Sequence, residues 1–156
     1  MSRTPPRTTS FTNLEVYQHT YRASLIVMTR IVPRLPESEQ HDLKSQLSRS
    51  CKAIPRLIAE GYAKRHQTRG FQKYLDDAIG ECNEILVSVT HCRDLYGSRF
   101  APELCDGLID GYDKAARQLY NLAVSWSNFQ PRRRRPMPPD EAHLETARRN
   151  EPAQVS

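Results

Sequence analysis

Apolar side chains recur along four stretches of the chain at alternating intervals of three and four residues, which is the period of an α-helix. The third stretch, from about Phe71 to Tyr96, keeps this alternation without a break, and the fourth keeps it to Phe129. Pro102 suits the first turn of the fourth helix, because the N–H that proline lacks would have no intrahelical partner there. No stretch of the sequence alternates in the manner of a β-strand. We therefore predict an all-α fold, an up-down-up-down four-helix bundle.

The first helix is expected to open at Thr12, because Thr12 and Glu15 have the spacing of a capping box. Pro33 and Pro36 should end it. Its apolar stripe, interrupted by the polar Ser24, consists of Leu14, Tyr17, Tyr21, Met28, Ile31 and Leu35. We expect these positions to face the core of the bundle.

The second helix is expected to begin near Glu37 or Ser38, where acidic residues favour the positive end of the helix dipole. It should end after Gly61, since residues 62–70 are polar and basic and are predicted to form a turn. Its buried side is predicted to comprise Leu43, Leu47, Ile54, Leu57 and Ile58.

Pro55 lies within this second helical stretch, where a proline removes one backbone donor and clashes with the preceding turn. We expect a helix that continues through Pro55 with a kink. Carbonyls near Cys51 must then find other partners, such as water or a side chain. Glu60 is expected close to Arg56, four residues before it.

A chain of 156 residues is long enough for one domain with a core and short for two. We predict a disordered arm at residues 1–10, a four-helix bundle at 11–129 and a disordered tail rich in proline and arginine at 130–156, because both ends lack an apolar period. No apolar run is long enough for a membrane span or a secretory signal, so we expect a cytoplasmic protein.

Side chains that carry chemistry are not grouped as in catalytic or metal sites. The four cysteines have no CxxC spacing, the five histidines fall in different segments, and the six glycines form no phosphate loop. His91 is adjacent to Cys92, but neighbours on a helix point about 100° apart. We therefore expect buried, reduced thiols, no metal, no cofactor and no enzymatic activity.

Basic residues follow one face of the second helix. Arg49, Lys52 and Arg56 recur at intervals of three and four residues, and the turn beyond the helix continues the set with Lys64, Arg65 and Arg69. With a net charge of +5, such a stripe is suited to phosphate groups of RNA or DNA. A solvated surface, or salt bridges across a subunit boundary, is an equally weighted alternative for the stripe.

A second basic candidate lies in the predicted tail, at Arg132, Arg133, Arg134 and Arg135. Four guanidiniums between prolines stay available to phosphate or to an acidic protein surface. No aromatic residue is interleaved with them, so we expect backbone contact without base stacking or sequence reading.

Two helices carry more apolar surface than one bundle seam requires. The additional apolar residues are Val16, Leu25, Ile26, Val27 and Val32 in the first helix, and Ile109, Tyr120 and Val124 in the fourth. A stripe wider than one seam indicates a second buried contact. We therefore predict a homo-oligomer.

The stretch AIPRLIAEG at residues 53–61 resembles the four-helix-bundle proteins encoded in intervening sequences of bacterial 23S ribosomal RNA genes. The resemblance extends over roughly residues 11–129. Further matching positions are Phe11, Leu14, Val16, Tyr17, Leu35, Pro36, Glu39, Gln46, Arg49, Phe71, Tyr74, Leu75 and Ala78. Ala53, Leu57 and Ala63 depart from the family pattern, which has serine, asparagine and glycine there.

A related group with the same fold is the accessory variability determinant of diversity-generating retroelements, a basic homopentamer that partners a reverse transcriptase. The resemblance thus implies a pentamer without catalytic residues. We interpret the chain as a non-catalytic homopentameric basic scaffold that binds nucleic acid and a reverse transcriptase. The alternative is a purely structural or protein-interaction bundle without a role in nucleic-acid binding.

Overall fold

The computed structural model describes residues 10–129, and this part of the chain forms the predicted all-α four-helix bundle. Its α-helices are α1 (Glu15–Ile26), α2 (Leu43–Ala63), α3 (Gly70–Tyr96) and α4 (Pro102–Phe129). Helices α1 and α3 each pack against both α2 and α4. Because short connections join consecutive helices, neighbours run in opposite directions. The predicted tail at 130–156, and all of the predicted arm except Ser10, lie outside the described residues.

The core is formed by the apolar stripes of the four helices, as the period predicted. Its largest fully buried side chains are Tyr112, Phe71, Ile31, Leu47, Ile54, Ile58, Leu75, Ile85 and Leu119. The helix bounds predicted for α3 and α4 agree with the structure, including Pro102 in the first turn of α4. The exception is α1, where the predicted stripe is wrong, because the buried residues of this helix are Val16, Thr20, Ala23 and Ser24. Leu14 and Tyr17 are only partly buried, and Tyr21, which was expected to face the core, is 48% exposed.

The predicted capping box at the start of α1 is wrong. Residues Phe11–Asn13 form a 3-10 turn, and the N–H of Thr12 donates to the hydroxyl of Ser10 at 3.2 Å. The α-helix begins only at Glu15, after Leu14, which has no side chain able to cap it. Ser10 is thus the capping residue, and Thr12 lies inside the turn that Ser10 stabilises.

Beyond α1 the chain stays helical but changes its hydrogen-bond pattern. Val27–Ile31 form a π-helical turn and Val32–Arg34 a 3-10 turn. The π-helical turn buries both Val27 and Ile31 completely. A π-helical turn holds one residue more than an α-helical one, so it shifts the side chains that follow it around the helix axis.

The start of α2 also differs from the prediction. Glu37–Glu39 form a 3-10 turn, and the α-helix begins at Leu43. The carboxylate of Glu39 accepts from the N–H of Leu43 at 3.4 Å and from the hydroxyl of Tyr96. A tertiary contact with the end of α3 therefore helps to set where α2 begins.

Helices α2 and α3 approach closely at Gly61. A Cβ atom at this position would lie 2.6 Å from the Cβ of Tyr74 and 3.0 Å from Cδ2 of Phe71. Both distances are shorter than van der Waals contact between carbon atoms, so only glycine fits without moving the helices apart.

A polar network joins the same two helices beside Gly61. Lys64 donates to Glu60 at 3.2 Å and also to the hydroxyl of Tyr74, which in turn donates to Glu60 at 3.1 Å. The hydrogen bond from Lys64 lowers the pKa of Glu60, and the hydrogen bond to Tyr74 raises the pKa of Lys64. Lys64 is therefore the ion-pair partner of Glu60, while Arg56 lies on the same helix four residues before Glu60, as expected, and forms no ion pair with it.

All four cysteines are buried and free, which confirms that expectation. Burial raises the pKa of Cys51 to about 11 and that of Cys82 and Cys92 to about 12. The thiols therefore stay protonated, and unreactive as nucleophiles, at neutral pH.

We predict that Gly61→Ala lowers the free energy of unfolding by about 1–3 kcal/mol, because the added methyl group overpacks the contact between α2 and α3. Urea denaturation measures this loss. The matched control is Gly80→Ala in the interior of α3, where a Cβ meets no atom within 4 Å. The control should raise stability by about 0.5–1 kcal/mol through helix propensity. Equal effects of the two substitutions would contradict the close approach at Gly61.

We also predict that stability falls at alkaline pH. A thiol whose pKa is raised by folding ionises first in the unfolded chain, so stability is complete below about pH 8.5 and decreases as the pH rises toward the folded pKa of about 11 to 12. The expected loss is up to about 1.4 kcal/mol per thiol and pH unit. Urea denaturation at pH 8, 9 and 10 measures the slope, and Cys82→Ala should make it shallower. An unchanged slope in that variant would show that Cys82 does not contribute.

Candidate nucleic-acid interface

A groove of about 960 Å³ lies between α1 and α2, and we call it the α1–α2 groove. Phe11 and α1 form one wall, one face of α2 forms the other, and residues of the connection between the two helices complete the lining. The side chains in its lining that can carry positive charge are His41, Lys44, Arg49, Lys52 and Arg56. No carboxylate from the described residues lines it. The groove is therefore a site of positive electrostatic potential.

The predicted stripe forms the cationic wall of this groove. Arg49, Lys52 and Arg56 lie on the same face of α2 and are all exposed. Arg49 approaches Glu84 of α3 at 3.8 Å, but an ion pair this long at a guanidinium 68% exposed contributes little. Lys52 and Arg56 form no ion pair with any residue between 10 and 129. The positive charge of the wall is thus mostly uncompensated by residues 10–129.

Pro55 is buried within α2 and contributes to the lining of the groove between these cations. The helix continues through it, as predicted. Its missing N–H leaves the Cys51 carbonyl without the usual helical donor. At the next carbonyl along the chain, that of Lys52, the Nε of Arg56 donates at 3.2 Å. This hydrogen bond holds the Arg56 side chain along the helix, close to Lys52.

The opposite wall is aromatic. Tyr17 and Tyr21 stack with ring centroids 6.1 Å apart and ring planes 21° apart, and Phe11 packs edge-on against Tyr17 at 4.9 Å. All three side chains line the α1–α2 groove. Sequence reasoning missed this wall, because Tyr17 and Tyr21 fall on the apolar stripe of α1. Two tyrosines where the other helices mostly have aliphatic residues were the available signal.

Lys44 lines the groove, but its charge is paired and is not available to a ligand. It is buried, and its ammonium donates to the carboxylate of Glu37 at 2.8 Å. The hydrogen bond and the positive charge of Lys44 lower the pKa of Glu37. This pair offsets the charge of Lys44, which leaves the exposed cations of α2 as the groups able to meet an anion.

The structure does not bring the other predicted basic residues into the groove. Lys64 is held by Glu60 and lies 4.6 Å from the ring centroid of Tyr74. Arg65 lies 4.2 Å from the ring centroid of Tyr62 and donates to the carbonyl of the same residue at 2.8 Å. Arg69 is exposed at the N-terminus of α3, in the left-handed region with a φ of 58°. The arginines at 132–135 lie outside the described residues.

Residues 10–129 offer neither a metal site nor a membrane-spanning helix. No three histidine, cysteine, aspartate or glutamate side chains there lie close enough to hold a metal ion. His91 is exposed while its neighbour Cys92 is buried, so the two do not face a common point. None of the helices in this part of the chain combines the length and the apolar character that crossing a membrane requires.

Comparisons with known proteins give one match. No curated protein and no solved structure matches the chain significantly. The model of the family described as 23S rRNA-intervening sequence protein matches residues 12–121, which include α1, α2, α3 and most of α4. The matched part also includes every residue lining the α1–α2 groove except Phe11. A match over this share of a 156-residue chain shows the family, and the protein belongs to the 23S rRNA-intervening sequence proteins.

Proposed function

We propose that this protein is a non-catalytic, homo-oligomeric scaffold that binds nucleic acid through the α1–α2 groove. The observation that carries the proposal is that Arg49, Lys52 and Arg56 line one groove into which no described carboxylate projects. Phosphate is the anion that a nucleic acid presents at regular intervals, and guanidinium groups bind it with two parallel hydrogen bonds.

The charge of the whole chain supports the same partner. Its net charge of +5 attracts polyanions, and each phosphate that a cation neutralises releases counterions into the solution. Binding should therefore weaken steeply with salt. Contacts of this kind position a nucleic acid without reading its sequence.

Exposed apolar side chains support self-association. Besides Tyr21, which lines the groove, they are Leu25, Val87, Leu95, Tyr120 and Val124. Leu25, Tyr120 and Val124 were predicted to form a second contact, whereas Val16 and Val27 are buried within the protomer. Tyr120 and Val124 lie four residues apart on one face of α4, and contiguous apolar patches on a surface are typical of interfaces. The number of subunits rests on the resemblance to the accessory variability determinant, from which we propose a pentamer that partners a reverse transcriptase.

We predict that replacing Arg49, Lys52 and Arg56 together with glutamine weakens binding to RNA or DNA and makes it less sensitive to salt. The slope of log K against log salt should become shallower by about 2 to 3, since each phosphate contact contributes about 0.7 to 0.9. Fluorescence anisotropy at several salt concentrations measures both effects.

The matched control removes the same number of charges from α3 and α4, at Lys73, Lys114 and Arg117, which are exposed and outside the groove. The control should leave the slope within about one unit of the unmodified protein. Equal effects of the two variants would show that only net charge matters. If the groove variant dissociates the oligomer instead, the purely structural alternative is favoured.

We also predict that the full chain sediments as a species larger than its protomer of 18.0 kDa, with a pentamer near five times that mass. Tyr120→Asp on the exposed face of α4 should shift the population toward the protomer, because it places a charge in an apolar contact. Asn121→Asp adds the same charge at the next residue and is the control. A protomer at micromolar concentration in analytical ultracentrifugation would contradict the oligomer.

A further inference from the structure

We infer that the α1–α2 groove takes single-stranded nucleic acid, with an unpaired base against the ring of Tyr21 and the phosphates along Arg49, Lys52 and Arg56. This inference rests on the proposed function. It adds two points to that function: the nucleic acid is single-stranded, and Tyr21 is the side chain that distinguishes it from a duplex.

Tyr21 has the properties of a stacking platform. Its side chain lines the groove and yet is 48% exposed, so part of the ring is open to a ligand. The ring of Tyr17 lies nearly parallel to it, at 6.1 Å between centroids, and Phe11 packs edge-on against Tyr17. The ring is therefore supported from one side by two further aromatic side chains. A supported ring loses little conformational entropy when a base stacks on it.

The opposite wall supplies the charges that such a ligand needs. Side chains three and four residues apart on a helix have Cβ atoms about 5–6 Å apart, so the three cations form a row along α2. A cationic row facing an aromatic surface is the combination by which proteins bind single strands. The row of cations contacts the phosphate backbone of the strand, and the ring of Tyr21 stacks on the face of one base.

The size and chemistry of the groove favour a single strand over a duplex. Its volume of about 960 Å³ is at the upper end of small-molecule sites, which are roughly 300–1,000 Å³, so it has room for a few nucleotides and not for a double helix. In a duplex the faces of the bases are stacked on one another and are not available to Tyr21. Every base has such a face, so the site should bind single strands of different sequence.

The test measures binding of the full chain to a fluorescein-labelled ten-nucleotide oligoadenylate RNA and to a ten-base-pair RNA duplex with the same label. The unmodified protein should bind the single strand more tightly. Tyr21→Ala should weaken binding to the single strand by about 10-fold, from the loss of one stacked base, and change duplex binding less than about 2-fold. Tyr21→Phe keeps the ring and should retain most of the affinity.

The matched control is Asn121→Ala, which is exposed on α4 and does not line the groove. It should bind both RNAs as the unmodified protein does. Because Tyr21 is exposed, its substitution should leave the thermal unfolding midpoint within a few degrees of the unmodified protein. This measurement is made on every variant.

Four results would overturn the inference. Unchanged single-strand binding by Tyr21→Ala would show that no base stacks on Tyr21. The proposed function would still stand if the glutamine variant of Arg49, Lys52 and Arg56 binds nucleic acid more weakly. Equal weakening of both RNAs would show that Tyr21 acts on the fold of the groove. Dissociation of the oligomer by Tyr21→Ala would identify the groove as a subunit contact. If the unmodified protein binds neither RNA at low salt, the proposed function fails together with the inference.

Discussion

The burial of one face of α2 is the constraint on which the rest of the structure depends. Ile54 and Ile58 are completely buried, and each contributes about 1.5–3 kcal/mol relative to an exposed side chain. Rotating the helix by one residue would withdraw them from the core and bring charged side chains in. The rotation of α2 is therefore set by apolar contacts, and Lys52 and Arg56 reach the α1–α2 groove as a consequence. The charged wall needs no stabilising contact of its own.

The same constraint explains which parts of the fold could be predicted from the sequence. Helices α3 and α4 have unbroken apolar stripes, and Pro102 marks where α4 begins, so local sequence is sufficient for both. The starts of α1 and α2 depend on contacts that a local pattern does not contain. Ser10 caps a 3-10 turn before α1, and Glu39 is held by Tyr96, which lies 57 residues further along the chain.

For the candidate site, the period of α2 was sufficient to place its three cations together, because residues on one helix share a face whatever surrounds them. It was not sufficient for Lys64, whose partner Tyr74 lies on another helix. The apolar period of α1 likewise failed to predict the exposure of Tyr21, since whether a position at the edge of an apolar stripe is covered depends on the packing of the neighbouring helix. The aromatic wall therefore depends on tertiary packing, whereas the cationic wall depends only on the helical structure of α2.

The π-helical turn at Val27–Ile31 is a point at which the chain can lose one residue without disturbing the groove. Tyr17 and Tyr21 precede this turn and Val32 and Pro33 follow it, and all four line the same groove. The extra residue is absorbed within the turn, so deleting one residue there would restore an ordinary α-helix and leave the side chains after it in their present orientation. A deletion elsewhere in α1 has no such turn to absorb it and would rotate everything after it by about 100°. Related sequences should therefore tolerate the loss of one residue within this turn better than the loss of one residue earlier in α1.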